Sequence, residues 1–248
     1  INSTCGVCNF SYHYLTLFKI ISKYEFFYMK RKAEPELMKR REQVIAYSEG
    51  DFNEGENNFI KFINNYLKNN KIKLSNKDLI VDLGCGPGNI TEKLSINWPH
   101  VNVLGIDGSE EMILKAKSNK NKKELFRASN NLNYLCADVK KITLKDISAK
   151  KVSLLVSNSL IHHINHLDQF FEFLLTLSTK ETINFHKDLI RPNDKKTAIE
   201  LKAKCLYEFS SVLADDFYAS LLASYTREEL KNKVIEKKLF NMDVIQEN

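Results

Sequence analysis

The sequence predicts an α/β protein with a doubly wound, mostly parallel sheet and helices on both faces. Three observations carry this. Short β-branched apolar runs alternate with amphipathic helical stretches from residue 58 to residue 189. Three of the chain's 8 glycines fall within five positions, in DLGCGPGNI (82–90), between an apolar run and a helical one. Successive predicted strands end in an acid: Asp82, then Asp107, then Asp138.

The elements follow in order. Residues 1–45 read as an N-terminal extension, partly flexible. Its most apolar run, FSYHYLTLFKIISKYEFFY, is broken by Lys19, Lys23 and Glu25, so it is not a membrane span. It also lacks the small-residue cleavage site of a signal peptide. The chain begins with Ile, and Met29 is its first methionine, so residues 1–28 read as an extension or translated upstream sequence. The basic runs MKRK and KRR interleave with Glu34, Glu36 and Glu42, the pattern of a solvated face rather than a nucleic-acid site.

Residues 58–67 carry apolar side chains at helical spacing. KDLIV is a buried strand leading into the glycine loop. Asn89, with Glu92 three residues on, fits a capping box for the helix that follows. VNVLGID (101–107) is the second strand, Ser109 caps the helix EEMILKAK, and residues 119–131 read as a polar loop. LNYLCAD (132–138), VSLLVSNS (152–159) and TINFHKDL (182–189) are the third, fourth and fifth strands, with a helix at 167–177 between the last two. Buried apolar strands separated by helices make βαβ units. After Pro192 the pattern is helical: 197–210, 215–224, and 226–238 with Thr226 and Glu229 as a capping box. The aromatic residues Tyr207, Phe209, Phe217, Tyr218 and Tyr225 exceed what solvated helices need, so residues 195–224 are expected to cover the strand ends. MDVIQEN (242–248) reads as a sixth strand.

Hydrophobic residues at 43% and charged residues at 27% describe a globular protein, and a net charge of +6 suits an anionic partner without demanding nucleic acid. Five scattered cysteines are no disulfide framework and point to a reducing, cytoplasmic setting. CGVC (5–8) with His13 lacks a fourth zinc ligand, and no acid near in sequence completes a site with His162 and His166, so no metal is expected.

In a doubly wound sheet, ligands bind beyond the carboxyl ends of the strands, where the strand order reverses. Carboxylates there accept from hydroxyls and amino groups and oppose phosphate. The spacing Gly84-x-Gly86-x-Gly88 puts Asn89 where a dinucleotide fingerprint has its third glycine, and the Gly-Lys-Ser/Thr ending of a P-loop is missing. A cofactor with a ribose, an adenine and an amino-acid group, but no phosphate, fits better.

LIVDLGCGPGNITEKL, VNVLGIDGSEEMILKAK, NYLCAD and SNSLIHHI, in that order, resemble the motifs of class I S-adenosylmethionine-dependent methyltransferases, over residues 78 to about 190. DLIRP followed by FYASLLASYTREEL resembles a bacterial small-molecule branch of that superfamily. The resemblance implies a Rossmann-like core at 46–190, a helical cover inserted after strand five at 191–225, and a last helix with strand six at 226–248. It also implies a seventh strand, which the sequence does not supply after the sixth; a missing C-terminal strand is expected, unless residues 1–28 supply it, YHYLTLFKII (12–21) being β-prone enough to do so.

The same resemblance implies site roles. Asp82, Gly84, Cys85, Gly86, Pro87 and Gly88 would hold the methionine part of S-adenosyl-L-methionine. Asp107, with Gly108 beside it, would bind the ribose, and Met112 would pack near the adenine. Asp138 would accept from the adenine amino group, with Val139 adjacent. Asn158 would lie at the methionine end, and Tyr47 would cover the cofactor. His162 and His163 follow the fourth strand and titrate where a general base is useful. Arg191 carries a fork that matches a substrate carboxylate. The expected activity is methyl transfer to an O, N or C nucleophile of a small molecule. RNA methylation, or cofactor binding without transfer, are the alternatives.

Overall fold

The computed structural model describes residues 4–5, 29–34, 38, 40–124, 131–239 and 241–246. In chain order the elements are β1 (Thr4–Cys5), α1 (Arg41–Glu49), α2 (Asn53–Asn69), β2 (Leu79–Leu83), α3 (Asn89–Asn97), β3 (Asn102–Asp107), α4 (Glu110–Glu124), β4 (Leu132–Cys136), β5 (Leu154–Asn158), a 3-10 turn at Ile161–His163, α5 (Leu167–Leu177), β6 (Ile183–Leu189), α6 (Lys195–Glu208), α7 (Ser211–Ala223) and α8 (Arg227–Glu236).

The sheet order is β1-β6-β5-β2-β3-β4, and β2 to β6 run parallel. The chain winds outward from β2 through β3 to β4, then returns to add β5 and β6 on the other side of β2. The reversal between β2 and β5 opens a crevice at their carboxyl ends. Alternation along the strands builds two cores. Ile80, Val103, Leu154, Val156 and Phe185 join Phe59 and Ile63 of α2 and Leu94 of α3 on one face. Val81, Leu83, Ile106 and Leu155 join Phe170 and Leu174 of α5 and Leu230 of α8 on the other. Among the described residues, no helix is long and apolar enough to cross a membrane.

Several local expectations are corrected. The α3 N-cap is Gly88, at φ +91°, and not Asn89. Asn89 is already helical, and its amide donates to Glu56 instead, at 2.9 Å. Helix α4 runs on to Glu124, through six residues read as loop. That stretch holds no Gly or Pro, and its polar side chains tie back to the sheet end: Asn119 donates to the Pro87 carbonyl at 3.1 Å and Lys120 to the Leu132 carbonyl at 2.7 Å. Helix α7 begins at Ser211 because Ser210 accepts from the Leu213 N–H. The Thr226–Glu229 capping box forms as read.

The sixth strand does not form among the described residues. Residues 241–245 follow an irregular path and Gln246 makes a single β-bridge; Val244 is buried in the core with α8, and its carbonyl accepts from Arg227 Nε at 3.2 Å. The edge position beside β6 is taken by β1, antiparallel, with Thr4 opposite Leu189 and Cys5 opposite Asp188. β1 falls within residues 1–28, read as a possible source of the missing strand, while the 12–21 run singled out there lies outside the described residues.

The basic N-terminal segment is not simply a solvated face. Arg31 donates from Nε to the Ala223 carbonyl and from Nη2 to the carbonyls of His162 and Ile164, and its guanidinium lies 4.2 Å over the Tyr225 ring. The Lys32 N–H donates to Leu222. These bonds clamp residues 29–34 across the end of α7 and the 3-10 turn.

Candidate active site

One cavity of about 700 Å³ opens at the carboxyl ends of the strands, the size of a small-molecule site. The glycine loop forms its floor. Gly86 stands at φ +53°, and a Cβ built there meets nothing within 4 Å. Its N–H donates to Asp107 Oδ2 at 2.9 Å, while Asp107 Oδ1 accepts from the Ser109 N–H at 2.7 Å. The end of β3 is thereby tied to the loop after β2.

The carboxylates around this loop repel one another. Asp82 is buried and accepts from the Thr91 hydroxyl at 2.7 Å. Burial pushes its pKa up to about 7 against that hydrogen bond, and the charges of Asp107 and Glu56 push the same way. Burial also raises Asp107, against the N–H groups of Ser109 and Gly86. Asp138 sits two residues past β4, exposed, with Oδ1 accepting from the Lys140 N–H. The carboxylates together favour a cationic, hydroxyl-bearing ligand.

The other end of the cavity is built around the 3-10 turn. His162 is buried; its Nδ1 bonds to Asp188 Oδ1, and its Nε2 lies 3.4 Å from Glu34 Oε1. His163 Nδ1 lies 3.4 Å from the same oxygen. Asp188 also accepts from the backbone N–H groups of Ile161, His162 and Leu189. Burial opposes the charge on His162, but Asp188 and Glu34 outweigh it and raise its pKa. Burial likewise would raise Asp188, but His162 and the N–H donors hold it below its usual value. Burial raises Glu34, against His162 and the Ser220 hydroxyl. An aromatic wall completes the cavity: the Tyr47 ring lies 4.9 Å from Phe52, which stacks on Phe209 at 5.3 Å.

Residues 80–177 match the family model of the methyltransferase domain. The chain contains a class I S-adenosylmethionine-dependent methyltransferase domain. Trans-aconitate 2-methyltransferase of Escherichia coli O157:H7 (strain EC4115) is 48% identical over 48 residues, which are 19% of this chain and 19% of that protein. The chain therefore matches only a fifth of that relative's length. A crystal structure of the plantazolicin methyltransferase BpumL, with a pentazolic desmethylPZN analog and SAH, superposes with a TM-score of 0.62 at 22% identity, covering 80% of this chain and 69% of that one. A second BpumL structure, with a triazolic analog, gives 0.55 at 22% identity, covering 79% and 74%. These two share the fold.

Within the methyltransferase domain and its flanks, the cavity brings together Tyr47, Asp82, Gly84, Cys85, Gly86, Pro87, Asp107, Gly108, Met112, Asp138, Val139, Asn158, His162 and His163. Two expectations are corrected. Gly88 does not line the cavity; a Cβ there would collide with the Tyr134 hydroxyl, so its glycine serves the packing of β4 against the start of α3. Arg191 does not reach the cavity either. Its guanidinium donates to the Ser224 carbonyl at 3.0 Å and pairs with Glu229 at 2.7 Å, pinning the start of α8 to the end of β6.

The cover helices do reach it, through Cys205, Glu208, Phe209, Leu213, Asp216, Phe217 and Ser220. Of the aromatic residues expected there, Phe209 and Phe217 line the cavity. Tyr207 is 92% exposed, and Tyr225 is buried with its hydroxyl on the Ile164 carbonyl. Sequence reading missed Glu34, Glu56, Lys187, Asp188 and Asp216. Glu34 and the two histidines bring three possible ligand atoms within 4.8 Å of one another. No spacing rule could show this, because Glu34 lies far from the histidines along the chain.

Proposed function

We propose that this protein transfers the methyl group of S-adenosylmethionine to a nucleophile of a small molecule, in the cytoplasm. The carrying observation is that one cavity holds both the glycine loop with its strand-end carboxylates and, beyond them, an imidazole pair backed by carboxylates. The residues fit the cofactor. The open space over Gly86 admits a ligand against the backbone, and the acceptors match its hydrogen-bond donors. Asp82 would hold the ammonium group, Asp107 the ribose hydroxyls and Asp138 the adenine amino group. Met112 and Val139 would flank the adenine, and Asn158 would lie at the methionine end. Tyr47 and Phe52 would close the site.

When bound, the cofactor supplies a methyl group on a positively charged sulfur. The protein's part is to align the nucleophile, exclude water and accept a proton where the nucleophile arrives protonated. His163 lines the cavity and contacts Glu34, so it is the proposed proton acceptor; His162, locked on Asp188, positions it from behind.

Purified protein incubated with methyl-labelled S-adenosylmethionine and separate pools of metabolites and RNA tests this. Label should enter the metabolite pool. Label in RNA alone would overturn the substrate class. Bound cofactor with no transfer to either pool would leave a binding protein.

A further inference from the structure

The acceptor end of the cavity carries its own charge pattern. Away from the three strand-end carboxylates and from Glu56, which stands beside Asp82, the lining includes Glu208 and Asp216, and among the described residues it includes no arginine. The nearby Arg31 and Arg191 are committed to backbone carbonyls. Of the lysines on the wall, Lys187 is buried and donates to the Gly55 carbonyl at 3.0 Å. A substrate carboxylate would meet like charge here, and among the described residues no guanidinium lines the cavity to receive it.

Asp216 is the informative member. Its Oδ1 accepts from Gln43 Nε2 at 2.7 Å, while its Oδ2 is buried and has no hydrogen-bond partner. Burial raises its pKa, and the charge of the exposed Arg40 opposes that rise without a hydrogen bond to Oδ2. Buried acceptors are nearly always satisfied, by protein, water or ligand, so this carboxylate oxygen in the cavity wall is open to a donor from a ligand. One helical turn along α7, Ser220 donates to Glu34 at 3.1 Å, and Glu34 stands behind His162 and His163. The rings of Tyr47, Phe52 and Phe209 line the same cavity, and an aromatic face attracts a cation.

We propose that the methyl acceptor is an organic amine that enters as its ammonium ion, with Asp216 as the carboxylate that receives it and the aromatic wall as its sleeve. This rests on the methyl-transfer reading and names the substrate class for it. The balance is simple. The amine enters as R–NH3+, and one proton passes to His163. The freed nitrogen lone pair forms the N–CH3 bond as the S–CH3 bond breaks, its electron pair staying on sulfur. The products are R–NH2–CH3+ and S-adenosylhomocysteine.

The test compares three probes of one shape, 2-phenylethylamine, 2-phenylethanol and 3-phenylpropanoate. Each is titrated calorimetrically into the whole chain, with and without saturating S-adenosylhomocysteine. The amine should bind about ten-fold or more tightly than either of the others, the scale of one charge-assisted hydrogen bond. Asp216→Asn should remove that preference and leave the alcohol and S-adenosylhomocysteine unaffected. An amine that binds no better than the alcohol overturns the proposal, as does an Asp216→Asn protein that keeps the preference. So does amine binding that disappears with a chelator and returns with Zn²⁺, which would make Glu34, His162 and His163 a metal site. Failure of S-adenosylhomocysteine to bind would instead overturn the methyl-transfer reading, while the titration without it still decides the ammonium site.

Discussion

Asp82 and Asp188 form a natural pair for comparison. Both are aspartates on parallel strands of one sheet, β2 and β6, with β5 between them, and they are 1% and 5% exposed. Their chemistry is opposite. Asp82 accepts from the hydroxyl and the backbone N–H of Thr91 but faces like charge from Asp107 and Glu56, and burial takes it up to about 7. Asp188 meets an imidazole and three backbone N–H groups, which hold it below its usual value despite burial. Burial alone therefore does not set the state of a carboxylate; the partner does. Asp188 is a finished ion pair that fixes the 3-10 turn to β6. Asp82 is one half of an ion pair, and in the proposed function a ligand supplies the other half.

The largest expected effect tests that contrast on stability. Asp188→Asn removes the nearer counter-charge of the His162 imidazole and leaves only Glu34. Removing one partner of a buried pair costs roughly 3–5 kcal/mol, and urea unfolding near neutral pH should show a loss of that order. Asp82→Asn removes a strained charge instead and should be neutral or stabilising at about pH 8. Equal losses in the two variants would break the comparison.

The pH dependence comes next. The folded pKa of Asp82, about 7, lies above its ordinary 3.8, so the folded state holds a proton that the unfolded chain has released. Its contribution to stability is greatest below 3.8 and is lost as pH rises to about 7. Asp188 has the reverse sign, because its pKa is lowered: its contribution is present above 3.8 and is lost as pH falls. His162 is raised above 6.5, so its contribution is lost as pH climbs past the raised value. Urea midpoints of wild type and Asp82→Asn between about pH 4 and pH 8 isolate the first of these. The wild-type curve should fall relative to the variant across that range. Parallel curves would remove the strain assigned to Asp82.

The two aspartates also show what the sequence makes legible. Asp82, Asp107 and Asp138 are readable because each stands at a strand end within a local motif, and the glycine loop gives the first of them away. Asp188 reads only as part of a strand, since its partner His162 lies 26 residues away and the contact exists only once β6 lies beside β5. Glu34 and Asp216 are illegible for the same reason: one comes from the N-terminal segment, the other from the cover. Arg191 misleads, because its position after β6 suggests the site while Glu229, 38 residues on, holds it elsewhere. The order of β2 to β6 and of the helices between them was readable because the central strands, buried on both faces, impose apolar runs. It failed at the tail, where MDVIQ is β-prone but packs on α8 while β1 occupies the sheet edge.

The smallest expected effect on stability sharpens the ligand side of the comparison. Gly86→Ala places a methyl where no atom of the chain lies within 4 Å, so the cost to the fold is the left-handed backbone at φ +53°, roughly 1–2 kcal/mol. Gly88→Ala adds to a similar strain a collision with the Tyr134 hydroxyl, where β4 meets α3, and should cost more. Ligand affinity should rank the other way. Gly86 borders the cavity and its N–H anchors Asp107, whereas Gly88 lies outside the lining. Titration of S-adenosylhomocysteine should show about a ten-fold loss for Gly86→Ala and a smaller one for folded Gly88→Ala. If Gly86→Ala binds like wild type, the loop does not carry the cofactor, and the counter-charge proposed for Asp82 would have to come from a different ligand.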